Sequence, residues 1–551
     1  MATVADLVLA REHDPHPAIL FEDESYTYAE FAAASQARAG AALALRQPDG
    51  RPFHLGVLLE NVPEYLFWIG GAALAGATVV GINPTRRGAE LAADIRHTDC
   101  QLIVTDSAQA GLLEGLDLAI EPGRILQIDQ PEYQGLLELP ADDHATPKTS
   151  DILLLLFTSG STGAPKAVIC TQGRLATTAE TAPALFGITR DDVTYQSMPL
   201  FHGNAIMANW LPALGRGATV ALRRKFSASG FLGDVRRHRA TYFNYVGRAL
   251  AYILATPPTP YDRDNQLRLG FGTEASARDM ERFSERFGCQ IIESYGSSEG
   301  VMSIRRRADT PPTAIGLPAS ETMDVIIANR ATGEECPRAR FDQHGRIVNG
   351  DEAIGEIVSR NGAPSFEGYY HNDDAMADRL VGGWYWSGDL GYRDVDGSFY
   401  FAGRASDWLR VDSENFAAAP VERILFRFPG VIMAGVYPVP DSRTGDQVMA
   451  ALELEEGKGF DPVAFGAFLS EQPDLGTKWA PRYVRIVNDM PLTSTGKINK
   501  QPLRLTQWVT TDPVWWDEQP GGAYRPLTEE DRDDLRRQFE THGRSQLLVG
   551  E

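Results

Sequence analysis

Short runs of consecutive apolar residues recur through the first four hundred positions, at 54–59, 78–82, 102–105, 152–157 and 219–222. Runs of this length without polar alternation are the pattern of strands buried on both faces. The segments between them, such as 28–45 and 89–99, have helix-like composition. Together they predict an α/β architecture with largely parallel sheets. From Asp324 the pattern changes to polar and apolar residues in alternation, as in Gly355-Glu356-Ile357-Val358, which predicts a small β-rich subdomain. Past Gly403-Arg404 a separate α+β unit is expected, with strands at 431–438 and 449–454 and a helix at 462–469. The proline-rich stretch 309–318 reads as a connecting loop. Beyond Trp508, the amphipathic segment 528–542 reads as a surface helix on the small domain.

Residues 65–82 are nearly uncharged but rich in Gly and Ala, and barely reach spanning length. They read as a buried helix feeding a strand, so no integral membrane segment is expected. The first 17 residues lack a basic, then apolar, leader pattern. A net charge of −22 argues against nucleic acid or an anionic membrane as partner. Any polyanionic ligand must therefore be held by local donors. The four cysteines (Cys100, Cys170, Cys289, Cys336) are scattered, with no CxxC pair. They read as buried thiols of a cytoplasmic protein, with no disulfide framework and no zinc site.

Chemistry concentrates where the run at 152–157 meets Thr158-Ser159-Gly160-Ser161-Thr162-Gly163-Ala164-Pro165-Lys166. Hydroxyls, amides made approachable by Gly160 and Gly163, and the charge of Lys166 are what a polyphosphate needs. The order of a Walker A loop is absent. A polar turn after a core strand is the alternative reading. The string resembles the phosphate loop of the ANL adenylate-forming enzymes: acyl-CoA synthetases, luciferases and peptide-synthetase adenylation domains. The resemblance spans about residues 20–505, with further motifs in family order. It implies an enzyme that attacks the α-phosphate of ATP with a carboxylate, releases pyrophosphate and passes the acyl group to a second nucleophile, usually coenzyme A.

On that resemblance, Tyr295 of Ser294-Tyr295-Gly296-Ser297-Ser298-Glu299-Gly300 stacks on adenine, Ser298 (usually Thr in the family) meets the α-phosphate, and Glu299, with Thr158, holds Mg2+. Gly272-Thr273-Glu274 sits where the adenine-facing loop lies. Asp389 of Trp386-Ser387-Gly388-Asp389 is expected on the ribose hydroxyls, where a carboxylate accepts two donors. Arg404 reaches the ribose and phosphate. Lys497, in Thr493-Ser494-Thr495-Gly496-Lys497, bridges the acid and the α-phosphate as charge develops. Taken alone, each of these short strings also reads as an ordinary turn. A large N-terminal domain, 1–403, of two parallel-rich α/β sheets plus the small β-rich subdomain, and a mobile α+β domain, 404–551, are expected, hinged at Ser406 and Asp407, with closure for adenylation and a second closure for thioester formation. His202 is expected beside the carboxylate in a pocket with Gly203, Asn204, Phe243, Asn244, Tyr245, Val246 and Gly247. A satisfied core histidine is equally compatible with its spacing. Amino-acid-activating members carry an Asp near Asn244, so its neutrality counts against an amino-acid substrate.

Arg223-Arg224-Lys225-Phe226 and Asp407-Trp408-Leu409-Arg410 resemble the branch of fatty-acid transport proteins, very-long-chain acyl-CoA synthetases and steroid-side-chain CoA ligases. That branch has Gly-Glu-Asn where this chain has Ser413-Glu414-Asn415. The acceptor-channel loop Asp412, Ser413, Glu414 and Asn415 would be narrower and more acidic near coenzyme A. This feeds an alternative: CoA-independent adenylate transfer, as by an ATP-dependent diazotase that activates nitrite for an aryl amine. A non-catalytic binding protein is disfavoured by intact Lys497, Glu299, Asp389 and Arg404. The acid's identity and the oligomeric state stay open, a homodimer among the options.

Overall fold

The computed structural model describes residues 2–548 except 140–145, 159–165, 247–248, 274, 276, 308, 312, 344–346, 405–407, 412–413, 444, 477, 494–495 and 519–522, and except the side chains of 122, 277, 404, 408, 410, 414 and 415. The chain forms two compact units, Met1–Gly300 with Pro364–Asp378, and Val301–Ala363 with Arg379–Glu551.

The first unit holds both expected parallel-rich sheets. One runs Ile125–Gln127, Leu102–Thr105, His54–Leu58, Thr78–Gly81, Ile152–Thr158, Lys166–Thr171, parallel until its last, antiparallel pair. The other runs Gln290–Gly296, Leu269–Thr273, Tyr242–Val246, Val193–Gln196, Thr219–Leu222, Pro17–Phe21, Glu24–Thr27, again parallel up to the last pair. The expected strands appear within one or two residues of their predicted limits. Residues 28–45 form one helix, capped by Thr27 with Glu30 closing a reciprocal cap. The uncharged stretch near residue 65 is the helix Pro63–Ala75, buried throughout except Glu64 and feeding Thr78–Gly81. Two glycines let it meet the 28–45 helix closely: a Cβ on Gly71 would lie 2.5 Å from the Arg38 Cβ. Among the described residues no helix is long and apolar enough to cross a membrane.

The second unit is antiparallel where alternation predicted it. Val325–Ala328, Gly355–Ser359, Trp384–Arg393 and Phe399–Arg404 form one sheet with Leu380–Val381. A five-stranded sheet of Val431–Pro440, Asp446–Leu454, Tyr483–Ile486, Val514–Trp516 and Arg525–Pro526 packs the helices Ala418–Leu425 and Pro462–Ser470 over its own core. The tail helix runs Glu529–Thr541 and buries Leu535 and Phe539. All four cysteines are buried and unpaired.

Asp94 marks a local conflict in the first unit. Its side chain is 1 % exposed and faces Arg86 at 3.0 Å. Burial pushes its carboxyl up to about 6, against the pull of Arg86. The folded state therefore takes up a proton that the unfolded chain, with an ordinary carboxyl, does not. Stability from this group is lowest above pH 6 and recovers as pH falls toward 4. Asp94→Asn is expected to raise stability at pH 7.5 by on the order of 2 kcal/mol, the gain shrinking by pH 5. Melting curves across that range check it; a pH-independent difference would contradict it.

Candidate active site

The strand Ile152–Thr158 is buried along its five central residues: Leu154 and Leu156 join the core that holds the 63–75 helix, and Leu155 and Phe157 join one that holds Leu91 and Ile95. It returns as Lys166–Thr171, and Thr158 pairs directly with Lys166. The two groups expected on the phosphates are thus cross-strand neighbours at the neck of the loop. The loop's own Ser159, Gly160, Ser161, Thr162 and Gly163 lie outside the described residues.

The returning strand is the sheet's edge, and an edge invites pairing. Here the chain covers its own edge. Ile169 N–H donates to the Gly368 carbonyl at 3.1 Å and Tyr370 N–H to the Ala167 carbonyl at 2.9 Å. Glu367 secures this strap by accepting from the Thr171 hydroxyl and amide at 2.5 and 3.0 Å. Between these anchors Tyr369 is carried inward, 2 % exposed. Its hydroxyl donates to Glu299 Oε1 at 2.6 Å, and its ring lies 5.9 Å from Lys166 Nζ.

Glu299 itself is 6 % exposed. A carboxylate so buried is expensive unless paired. Tyr369 serves Oε1, and Oε2 has no donor among the described residues. Ser298 and Glu299 follow the strand Gln290–Gly296 in a turn closed by Gly300 N–H to the Ser297 carbonyl, with Gly300 left-handed at φ 67°. Arg174 donates to the Ser298 carbonyl and the Ile169 carbonyl, tying the turn to the edge strand. A Cβ on Gly203 would come within 3.2 Å of Ser298 Oγ, so the segment after His202 lies against that hydroxyl.

Tyr295 and Ser294 stand half-buried on the strand, while Gly296 and Ser297 are exposed. The neighbouring strand ends in Gly272-Thr273, so these motifs share the carboxyl ends of parallel strands, where open α/β sheets bind ligands. Glu274 is outside the described residues. Phe243 and Tyr245 sit opposite Gly270 and Gly272, and a Cβ on either glycine would lie 2.5 Å from the facing ring. Phe243 packs with Phe231 and Phe283. The Tyr245 hydroxyl donates to Glu293 at 3.1 Å, and burial, then Glu293, raises it far above the phenol range. Asn244 faces the other side of the strand and meets Asn204 and Asn209. The aromatic pair and the Asn204 side therefore do not line one common wall. Val246 ends the strand and Gly247 is outside the described residues. His202 precedes the short helix Gly203–Ala205, its ring 4.4 Å from that of Phe201.

In the second unit, Asp389 lies on Trp384–Arg393, paired in register with Arg404. Just before it on the same strand, Gly388 N–H donates to Glu356 Oε1 at 2.6 Å, and Glu356 pairs with Arg330 at 3.2 Å. The Arg404 side chain is among those not described, as are Glu414 and Asn415; Ser406, Asp407, Asp412 and Ser413 lie outside the described residues altogether. Lys497 sits in a tight reversal. Thr493 N–H donates to its carbonyl at 2.7 Å, and Gly496 supplies a left-handed φ of 78°.

A profile of AMP-binding enzymes matches residues 8–370, and that of the AMP-binding enzyme C-terminal domain matches 420–497. The chain belongs to the AMP-binding enzyme family. It is 53% identical over 552 aligned residues to the steroid-22-oyl-CoA synthetase of Rhodococcus jostii, covering 99% of each chain. It is 44% identical to a medium/long-chain-fatty-acid–CoA ligase of Mycobacterium tuberculosis, covering 93% of this chain and 98% of that one. Its fold matches a benzoate CoA ligase from Burkholderia xenovorans at TM-score 0.78 and 22% identity, over 92% of this chain and 100% of that one. This AMP-binding enzyme thus has the ANL fold read from its motifs.

Sequence reasoning missed Tyr369, Glu367 and Glu356. Tyr369 lies 70 residues from its partner, in Gly368-Tyr369-Tyr370, which carries no chemistry by itself. Tyr369→Phe keeps the ring and removes the donor. We expect a stability loss of about 1–3 kcal/mol, because a buried carboxylate oxygen is left unpaired. We also expect weaker binding of Mn2+·ATP, measured by EPR titration. Unchanged melting and unchanged Mn2+ affinity would show that the hydrogen bond does not matter.

Proposed function

We propose that this AMP-binding enzyme is an ATP-dependent acyl-CoA ligase that forms an acyl-adenylate, releases pyrophosphate and delivers the acyl group to coenzyme A. The observation that carries this is the buried Glu299 carboxylate beside Ser298, with one oxygen fixed by Tyr369, whose ring lies 5.9 Å from Lys166 Nζ. The CoA-ligase names of relatives at 53% and 44% identity support the acceptor. They also weigh against the amine-acceptor alternative. For the acid we propose a bulky hydrophobic carboxylate, a steroid side-chain acid or a medium- to long-chain fatty acid.

Among the described residues no cluster of three or more His, Cys, Asp or Glu side chains forms a metal cage. Mg2+, which takes few protein ligands and keeps phosphate oxygens and water, fits Glu299 Oε2. Bound there, it would neutralise phosphate charge. Lys166 and the loop hydroxyls would hold the outer phosphates, Tyr295 the adenine, Asp389 and Arg404 the ribose. His202 would orient the acid. Lys497 would stabilise the charge that builds at the α-phosphate. Functionally we divide the chain at 403/404, with the hinge at Ser406 and Asp407.

The test is release of AMP and pyrophosphate with steroid, fatty and aromatic acids, and with nitrite plus an aryl amine, each with and without coenzyme A. Thioester formation from a hydrophobic acid is expected. Turnover only with nitrite and amine would overturn the reading. Lys497→Ala should lower pyrophosphate release at least about a hundredfold while ATP binding persists. Undiminished release would remove its assigned role.

A further inference from the structure

Behind the short helix Gly203–Ala205 runs a chain of neutral side chains whose hydrogen-bond direction is fixed from its buried end. Asn209 Nδ2 donates to the Tyr195 carbonyl at 3.0 Å. A backbone carbonyl only accepts, so this contact sets the orientation of the Asn209 amide. Its oxygen then accepts from the Thr194 hydroxyl at 2.8 Å, and its second N–H donates to Asn244 Oδ1 at 2.8 Å. That orients Asn244, whose Nδ2 donates to Asn204 Oδ1 at 2.7 Å. Thr194, Asn209 and Asn244 are buried to 1 % exposure or less. Reversing any amide would set N–H against N–H, or oxygen against oxygen, where water cannot relieve it.

The helix here is irregular. Ile206–Trp210 is a π-turn, a form that recurs at functional sites, and it carries Asn209. Within this hydrogen-bonded run, Asn209 and Asn244 are buried and Asn204 is half-buried. Its oxygen is held inward and its N–H groups donate to none of the described residues. It stands two positions after His202 and next to Gly203, which abuts Ser298 Oγ.

We propose that Asn204 is a specificity-determining donor on the acid side of the site, its polarity imposed by Thr194, Asn209 and Asn244. The inference rests on the acyl-activating reading above. The ligand chemistry is an oxygen acceptor of the acid: either its own carboxylate, carried into the adenylate carbonyl, or an oxygen substituent nearby on the acyl body. The outward N–H groups of Asn204 attract such an oxygen, and a neutral amide gives an ammonium group no anionic partner.

Asn204→Asp is nearly isosteric. It keeps an acceptor for Asn244 and turns an anionic oxygen outward in place of N–H. Its KM for the acid should rise at least about tenfold, with the KM for ATP unchanged. Asn204→Ala should give a smaller rise with the same split. Asn244→Asp, which leaves Asn204 no oxygen acceptor role inward and turns its carbonyl outward, should act in the same direction; combined with Asn204→Ala it should add little. Melting curves establish that each variant is folded. Plain acids and their oxo or hydroxy analogues separate the two sources. An equal penalty on both assigns the bond to the carboxylate, and a penalty confined to the analogues assigns it to the substituent. An unchanged acid KM in folded Asn204→Asp and Asn204→Ala would overturn the proposal while leaving the ligase reading intact. A wild-type enzyme that turns over no carboxylic acid would instead remove the reading on which it rests.

Discussion

A buried carboxylate with one oxygen held by a tyrosine is the constraint around which the first unit is arranged. Glu299 tolerates burial because Tyr369 reaches it at 2.6 Å. Tyr369 can do so only because residues 367–370 are laid along the edge strand that begins at Lys166. One strap therefore closes an open sheet edge, places an aromatic ring by the Lys166 ammonium and holds one oxygen of the buried Glu299 carboxylate. Edge protection and active-site geometry come from the same few residues.

The strap also explains why the chain does not divide simply along its length. Residues 364–378 return to the first unit although the chain on either side belongs to the second. Glu367, the strap's ion pair with Arg174 at 3.6 Å, and Arg174's own bond to the Ser298 carbonyl join three distant sequence motifs.

Much of the architecture was legible because it is written in local periodicity. The unbroken apolar run at 152–157 had to be a two-face-buried strand, and the helix at 28–45 showed in its composition, whereas its Thr27–Glu30 cap is a finding of the structure. The family was legible because its motifs set characteristic side-chain types at close spacing, and the profile of AMP-binding enzymes matches 8–370. Partners that act at long range were not. Nothing around Tyr369 signals a bond to a residue 70 positions away, and Glu356 read only as one polar position in an alternating strand. The side that each residue of 243–245 would face was equally hidden. It depends on Gly270 and Gly272 making room for two rings, which leaves Asn244 alone on the opposite face.

The most direct measurement is a crystal structure with a non-hydrolysable ATP analogue and Mg2+. The metal should sit on Glu299 Oε2 with the Tyr369 hydroxyl still on Oε1, and the phosphates should lie against the turn between Thr158 and Lys166. A metal held elsewhere, or a Tyr369 swung away from Glu299 when the nucleotide binds, would contradict the central role given to that hydrogen bond.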